Sequence, residues 1–506
     1  MSRYDITSYG AIKNTGADNT AAIQQALDTC SSNGGGTVYV PAGEFKTGPI
    51  ELHSNTTLYL ETGSVLSFLD DFNEYPIVKT RWSGYVCHGF MPLVFGQNVS
   101  NVAIKGDGVL DGNGQKWWEV NRRLRKGEHY ECEKTLEIKQ ANSDFTEPAD
   151  TNLVEWPSQF LRPPLVQFYH ARHVTINGVT VRNSPFWNTH LVFCEDVSIH
   201  QVHFQNPSDT PNGDGLDIDS CLNVRISDCH FDVGDDCVVL KSGINEDGRK
   251  YNTPTKNVTI TNCTMHHGHG GVVFGSENSG GIENVTVSNC VFDGTDRGIR
   301  IKTNRERGSY IRNILVNNIW MDDVLCPIAI NSFYRHGVSR SNPHLLDAKT
   351  IPVTEKTPVV EKIRISNVTA RNCSAAAGFI YGLPEMPIKE VAIDHVTIEM
   401  TDDETIPGGE PDMVREVIEM EGEGIFAKYV RNLSLHHVRI KTRKGPALVL
   451  DEAEDVSLEQ VSNERDGEEP VVVATENCDK IEIIGTQYNK RKDHYLSINR
   501  KEVNIK

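Results

Sequence analysis

Four short polar phrases follow one another through the middle of this chain: Asn212-Gly213-Asp214-Gly215-Leu216-Asp217, Gly234-Asp235-Asp236-Cys237, Gly268-His269-Gly270 and Arg300-Ile301-Lys302. Carboxylates, an imidazole and two cations are side chains that move protons and hold anions. Cleaving a glycosidic bond takes two opposed carboxyl groups, one protonating the leaving oxygen and one activating water. Enzymes that invert the anomeric centre space them roughly 6.5–9.5 Å apart. Three aspartates close together also repel one another's charge, so one should keep its proton near neutral pH. Arg300 and Lys302, two residues apart on a strand, point to one side and suit a substrate carboxylate. Arg297, Arg305 and Arg307 are expected to thicken a local basic patch around them. Each phrase alone has a plainer meaning. An Asp-Asp pair or a glycine-flanked histidine is most often a turn, and Asp214, Asp217 and Asp219 alternate as calcium ligands do. The order and spacing of the four phrases together favour catalysis.

A repeat explains how residues this far apart in sequence can meet. A polar residue followed by alternating β-branched residues recurs at Val174, Val197, Val224, Val258, Val285, Ile314, Ile363, Val391, Leu433, Val456 and Ile481. Period-two alternation marks each unit as a strand, and no helical stretch of useful length is seen between units. Short strands repeated at this interval predict an all-β chain, a single-stranded right-handed parallel β-helix in which each coil pairs with the next. One coil then advances about 4.8 Å, so the four polar phrases span about 15 Å of one face. Residues 20–32 read as a short capping helix, with an Asp18/Asn19 start and a Gly34-Gly35-Gly36 stop. The chain reads as one catalytic domain over 1–506, with a cap at about 1–36, a charged insertion at about 115–162 and further coils to the end. Loops at 335–357 and 401–423 also interrupt the repeat.

Asp and Glu number 69 against 50 Lys and Arg, a formal net charge of −19. Such a surface disfavours nucleic acid and anionic membranes as partners, and a polyanionic substrate needs local positive charge. The start of the chain shows no apolar leader pattern, which predicts a cytoplasmic protein, and the 12 cysteines, with no CxxC pair, read as buried free thiols. The sequons at Asn257 and Asn284 then read as turn residues.

In their order, and with Tyr334 in Asn331-Ser332-Phe333-Tyr334, the four phrases resemble glycoside hydrolase family 28, the polygalacturonases. The stretches 9–11, 18–23, 34–41, 183–187 and 382–386 are similar to bacterial members, exo-acting ones in particular. The resemblance implies inverting hydrolysis of α-1,4-galacturonosyl bonds in pectin-derived oligogalacturonides, without cofactor or metal. It implies Asp235 as general acid, and Asp214 and Asp236 as the pair that holds and activates water. His269 would orient the acid and touch the sugar, while Arg300, Lys302 and Tyr334 would bind galacturonate. One departure is Gly213, where the family usually has threonine. A rhamnogalacturonan hydrolase of the same family, a calcium-dependent pectate lyase and a non-catalytic tailspike-like binder are the alternatives. Exo attack is expected, with the insertion 115–162 and the loop 335–357 walling one end of the groove.

Overall fold

The computed structural model describes residues 2–145, 153–338, 342–465, 470–484, 496–498 and 503–505. Parts of the 115–162 insertion, of the 335–357 loop and of the last coils lie outside them. Strands stack in parallel, each coil hydrogen-bonded to the next. The repeat positions form one inward column: Val174 pairs with Val197, then Val224, Val258, Val285, Ile314, Ile363, Val391, Leu433, Val456 and Ile481. All of these side chains are buried. A repeat that places one β-branched residue per coil therefore builds a continuous apolar core.

The polar residue before each column position has a second task. Asn223, Asn257, Asn284 and Asn313 all adopt left-handed backbone with φ of 56–59°, a region that asparagine tolerates and β-branched residues do not. Their carboxamides form a ladder: Asn257 Nδ2 donates to Asn223 Oδ1 at 3.1 Å, Asn284 to Asn257 at 3.2 Å and Asn313 to Asn284 at 3.1 Å. Both sequon asparagines thus sit at left-handed bends inside the strands Thr255–Thr261 and Ile282–Asp293, and not in turns as expected.

The cap is the helix α1, Thr20–Ser32, which turns Ile23, Ala26, Leu27 and Cys30 onto the first coils. Asp18 Oδ1 accepts the Thr20 N–H at 2.9 Å, and Gly35 N–H closes the other end on Cys30 O at 2.9 Å. Among the described residues all 12 cysteines are free, and Cys229, Cys263 and Cys290 are buried in successive coils. No described helix is long and apolar enough to cross a membrane.

Two elements depart from the sequence reading. The insertion contains helices α2, Gln115–Arg125, and α3, Glu133–Ala141. Its charge conceals an apolar stripe: Trp117, Val120 and Leu124 are buried at helical spacing. Trp117 packs against Phe72, Phe90 and Phe160 with ring centroids 4.4–5.4 Å apart, which fixes the insertion to the body. The second departure is an antiparallel hairpin, Ile77–Trp82 with Tyr85–Phe90. Its Ser83-Gly84 turn has φ of 45° and 83°, as a two-residue hairpin turn requires.

Candidate active site

The first three phrases lead into, and Arg300-Ile301-Lys302 lies on, four neighbouring strands, Leu216–Asp219, Asp236–Lys241, Gly270–Gly275 and Arg297–Lys302, with Asp214, Asp235 and His269 just before the strand starts. These strands pair in order. One carboxylate oxygen each from Asp214, Asp235 and Asp236 lies within 4.8 Å of the others. That is shorter than the spacing usual for an inverting pair, so distance does not carry the inverting assignment. Glycine keeps the cluster open: at Gly268, φ +79°, a Cβ would sit 2.3 Å from Asp235 O. At Gly213 a Cβ would lie 2.8 Å from that of Thr210. A threonine three residues earlier thus fills the space where the family usually carries one.

Asp235 Oδ1 accepts the Asp236 N–H at 3.0 Å and meets His269 Nδ1 at 3.2 Å. Burial opposes ionisation of Asp235, but the His269 charge outweighs it and holds the carboxyl below the usual range. Reciprocally, Asp235 raises His269. The aspartate that should keep its proton is therefore a different one. Burial, then the charges of Asp235 and Asp217, push Asp214 well up against the pull of Lys241. Burial also pushes Asp217 up to about 8. The charge repulsion expected to keep a proton on one of the three aspartates thus acts on Asp214, and not on Asp235, the acid that the resemblance implies. Across the 3.2 Å contact, Asp235 favours the protonated form of His269.

The cations are engaged. Lys302 Nζ is 2.6 Å from Asp236 Oδ2. Arg300 gives Nε and Nη2 to Asp412 Oδ1, at 3.1 and 2.6 Å, and places Nη1 3.5 Å from Asp236 Oδ1. Tyr334 is buried beside them, its ring centroid 5.6 Å from Arg300 Cζ and 5.4 Å from Lys302 Nζ. The basic patch expected from Arg297, Arg305 and Arg307 does not form. All three are buried and spent on loops. Arg297 donates to Pro411 O and Glu410 O; Arg305 grips Glu385 and the carbonyls of Leu345, Asp347 and Lys349; Arg307 holds Ser276 O and Gly337 O. Buried guanidiniums need such partners. The calcium reading fails likewise, since Asp217 pairs with Lys241 at 3.0 Å and Asp219 with Arg81 at 2.6 Å.

Three residues of the site escaped the sequence reading. Asp412 comes from the acidic loop, 112 positions beyond Arg300, with nothing local to mark it. Lys241 was legible in principle, as a lysine closing the apolar run Cys237–Leu240. It lies over the Trp187 ring at 3.5 Å and 3.7 Å from Asp214 Oδ2. Glu277 stands 3.7 Å from the same ammonium.

Two added segments stand over this groove. On the C-terminal side the segment 410–413 crosses the strand Cys326–Asn331, tied by Arg297 to Pro411 O, Arg300 to Asp412 and Asn331 Nδ2 to Met413 O at 3.3 Å. Beside the loops that follow the first three strands stands the hairpin. Arg81 reaches Asp219 and Ser220, and the Gly84 turn abuts Ile244 and Glu277. The insertion buttresses the Asp214 loop behind it, through Arg125 and Arg162 on Asn212 Oδ1 at 3.0 and 2.9 Å.

A stack of parallel coils with acidic residues clustered on one face defines a parallel β-helix with a candidate acid–base site. Residues 158–407 match the model of "Glycosyl hydrolases family 28", and residues 4–125 that of "Rhamnogalacturonase A/epimerase, pectate lyase-like". A probable polygalacturonase of Vitis vinifera is 32% identical over 405 residues, covering 78% of this chain and 74% of the relative. An endo-polygalacturonase of Pectobacterium carotovorum is 25% identical over 402 residues, covering 76% and 90%. The solved structure of a hyperthermoactive exopolygalacturonase from Thermotoga maritima superposes with a TM-score of 0.71 at 29% identity, over 87% of this chain and 91% of that one. The chain belongs to glycoside hydrolase family 28 and is a glycoside hydrolase of the polygalacturonase family.

Proposed function

We propose that the protein is an exo-acting, inverting galacturonan hydrolase that removes terminal units from oligogalacturonides. The observation that carries the exo reading is the pair of added segments. The hairpin packs against the loops that follow three of the four strands, at Ser220, Ile244 and Glu277, and the 410–413 segment covers Arg297, Arg300 and Asn331. A long chain continuing over the later coils would have to displace the 410–413 segment. The third loop, 401–423, thus does the work expected of the 335–357 loop, which lies behind it and is tied to it by Arg415 on Asp347. Sizing products from defined oligogalacturonides over time tests this. Monogalacturonate should appear from the first turnover, and an early mixture of intermediate lengths would show internal cutting.

In the mechanism, His269 passes its proton to Asp235, which relays it to the leaving glycosidic oxygen. Water attacks the anomeric carbon from the opposite face and gives its proton to Asp236, which Lys302 holds in place; Asp214 accepts or donates one hydrogen bond to the same water. NMR of the first product should show the β anomer, and an α product would assign retention instead. The lysine and arginine contacts already balance the carboxylates, so chelator should leave the rate unchanged and no unsaturated product should absorb. Calcium dependence with that absorbance would mark a lyase.

The His269–Asp235 pair also sets a pH dependence. Asp235 raises the imidazole above its ordinary value of 6.5, so the proton is retained past that pH and lost as pH rises through the raised value. The alkaline limb of kcat/KM should therefore lie above 6.5, and His269→Asn should abolish it. A limb that is unmoved in the variant belongs to another group. We also place the enzyme in the cytoplasm, on its 12 unpaired cysteines, and recovery of the activity outside the cell in fractionation would overturn this.

A further inference from the structure

The cations of the groove fall into two groups. Arg300 and Lys302 form one group. One coil or two earlier, a second ammonium, Lys241, faces three carboxyl groups: Asp217 at 3.0 Å, and Asp214 and Glu277 at 3.7 Å each. Asp217 Oδ2 and Asp214 Oδ1 are buried and have no hydrogen-bond partner among the described residues. Buried polar atoms in this state cost stability unless something else satisfies them. Glu277 keeps 15% of its side chain exposed, and its 3.7 Å contact with Lys241 exceeds hydrogen-bond length. Its backbone is nonetheless held firmly. Ser242 N–H donates to Glu277 O at 2.6 Å, and Arg307 fixes the preceding Ser276 O at 2.6 Å. A carboxylate held rigidly at the foot of a wall, with an ammonium beside it, offers acceptors and donors for neighbouring hydroxyl groups. It also repels a uronate carboxylate.

We infer that Glu277, together with Lys241, is the specificity element that reads a vicinal hydroxyl pair free only on a terminal sugar, O3/O4 at the non-reducing end or O1/O2 at the reducing end. This rests on the exo-galacturonan reading above and deepens it. Internal units have one hydroxyl of that pair blocked by the glycosidic bond, so a site satisfied only by both admits chain ends. A buried acceptor that requires a hydroxyl rejects an analogue lacking it far more strongly than it favours one carrying it. The uronate carboxylate is meanwhile turned towards Arg300 and Lys302.

The test compares the native enzyme with Glu277→Gln, Glu277→Ala and Glu277→Asp on three trisaccharides. These are trigalacturonate, its analogue with a 4,5-unsaturated non-reducing end, and its borohydride-reduced form. If the native enzyme releases no monomer from trigalacturonate, the proposed function fails, before any variant matters. Given that activity, Glu277→Gln and Glu277→Ala should lower kcat/KM on trigalacturonate at least about tenfold, mostly through KM, with unchanged melting temperature and partial rescue in Glu277→Asp. The same substitutions should change little on the analogue whose altered end is the one Glu277 reads, which also identifies that end. An equal loss on all three substrates, or no loss on trigalacturonate, overturns the inference.

Discussion

Asp235→Asn should fold as the native enzyme does and turn over at least about a hundredfold more slowly, the scale set by a positioned general acid. The amide matches the carboxyl in shape and still accepts the Asp236 N–H, so the local turn survives. It can neither relay a proton to the leaving oxygen nor hold His269 charged, since Asp235 is the chief cause of that shift. Asp214→Asn and Asp236→Asn should lose comparable activity but differ in stability. Burial already favours a neutral Asp214, so its amide replaces a group of similar charge. Asp236→Asn instead leaves Lys302 without its 2.6 Å partner in a buried site. Measuring kcat on trigalacturonate beside the melting temperature separates the three. Near-native turnover in any of them removes that residue from the mechanism.

Asp412→Ala should cost about 3–5 kcal/mol of stability, because it strands Arg300 as a buried cation without its carboxylate. Neither side chain reaches solvent to any extent, at 1% and 0% exposed. Asp412→Asn, which keeps the volume and an acceptor, should cost less. Both substitutions loosen the 410–413 segment where it crosses the groove, so products longer than the monomer should begin to appear. Denaturant unfolding gives the first quantity and product sizing the second. A destabilised variant that still releases only monomer would show that the wall does not depend on this pair. The same geometry changes what Arg300 can do. A substrate carboxylate must share or displace Asp412, so Arg300 acts less as an open fork than as a cation held in reserve.

The repeat and the chemistry were both legible in the chain itself. One β-branched residue per coil, preceded by a residue that tolerates left-handed backbone, dictates the column from Val174 to Ile481 and hence the parallel stack. Once coils stack, Asp214, Asp235, Asp236, His269, Arg300 and Lys302 must share a face, because phrases one coil apart become neighbouring strands. Sequence could not say which charge meets which. The hydrogen bonds of a β-helix fix strands, whereas Asp412, the hairpin 77–90 and the insertion helices reach the groove through loops whose paths no periodicity records. Those long-range contacts decided that Arg297, Arg305 and Arg307 anchor loops instead of meeting substrate, while burial and the His269 contact raise Asp214 and lower Asp235. The same long-range contacts also set the hairpin and the 410–413 segment over the groove. Pairing and protonation depend on burial and on distances of a few ångströms between segments remote in sequence, and only the folded chain sets those.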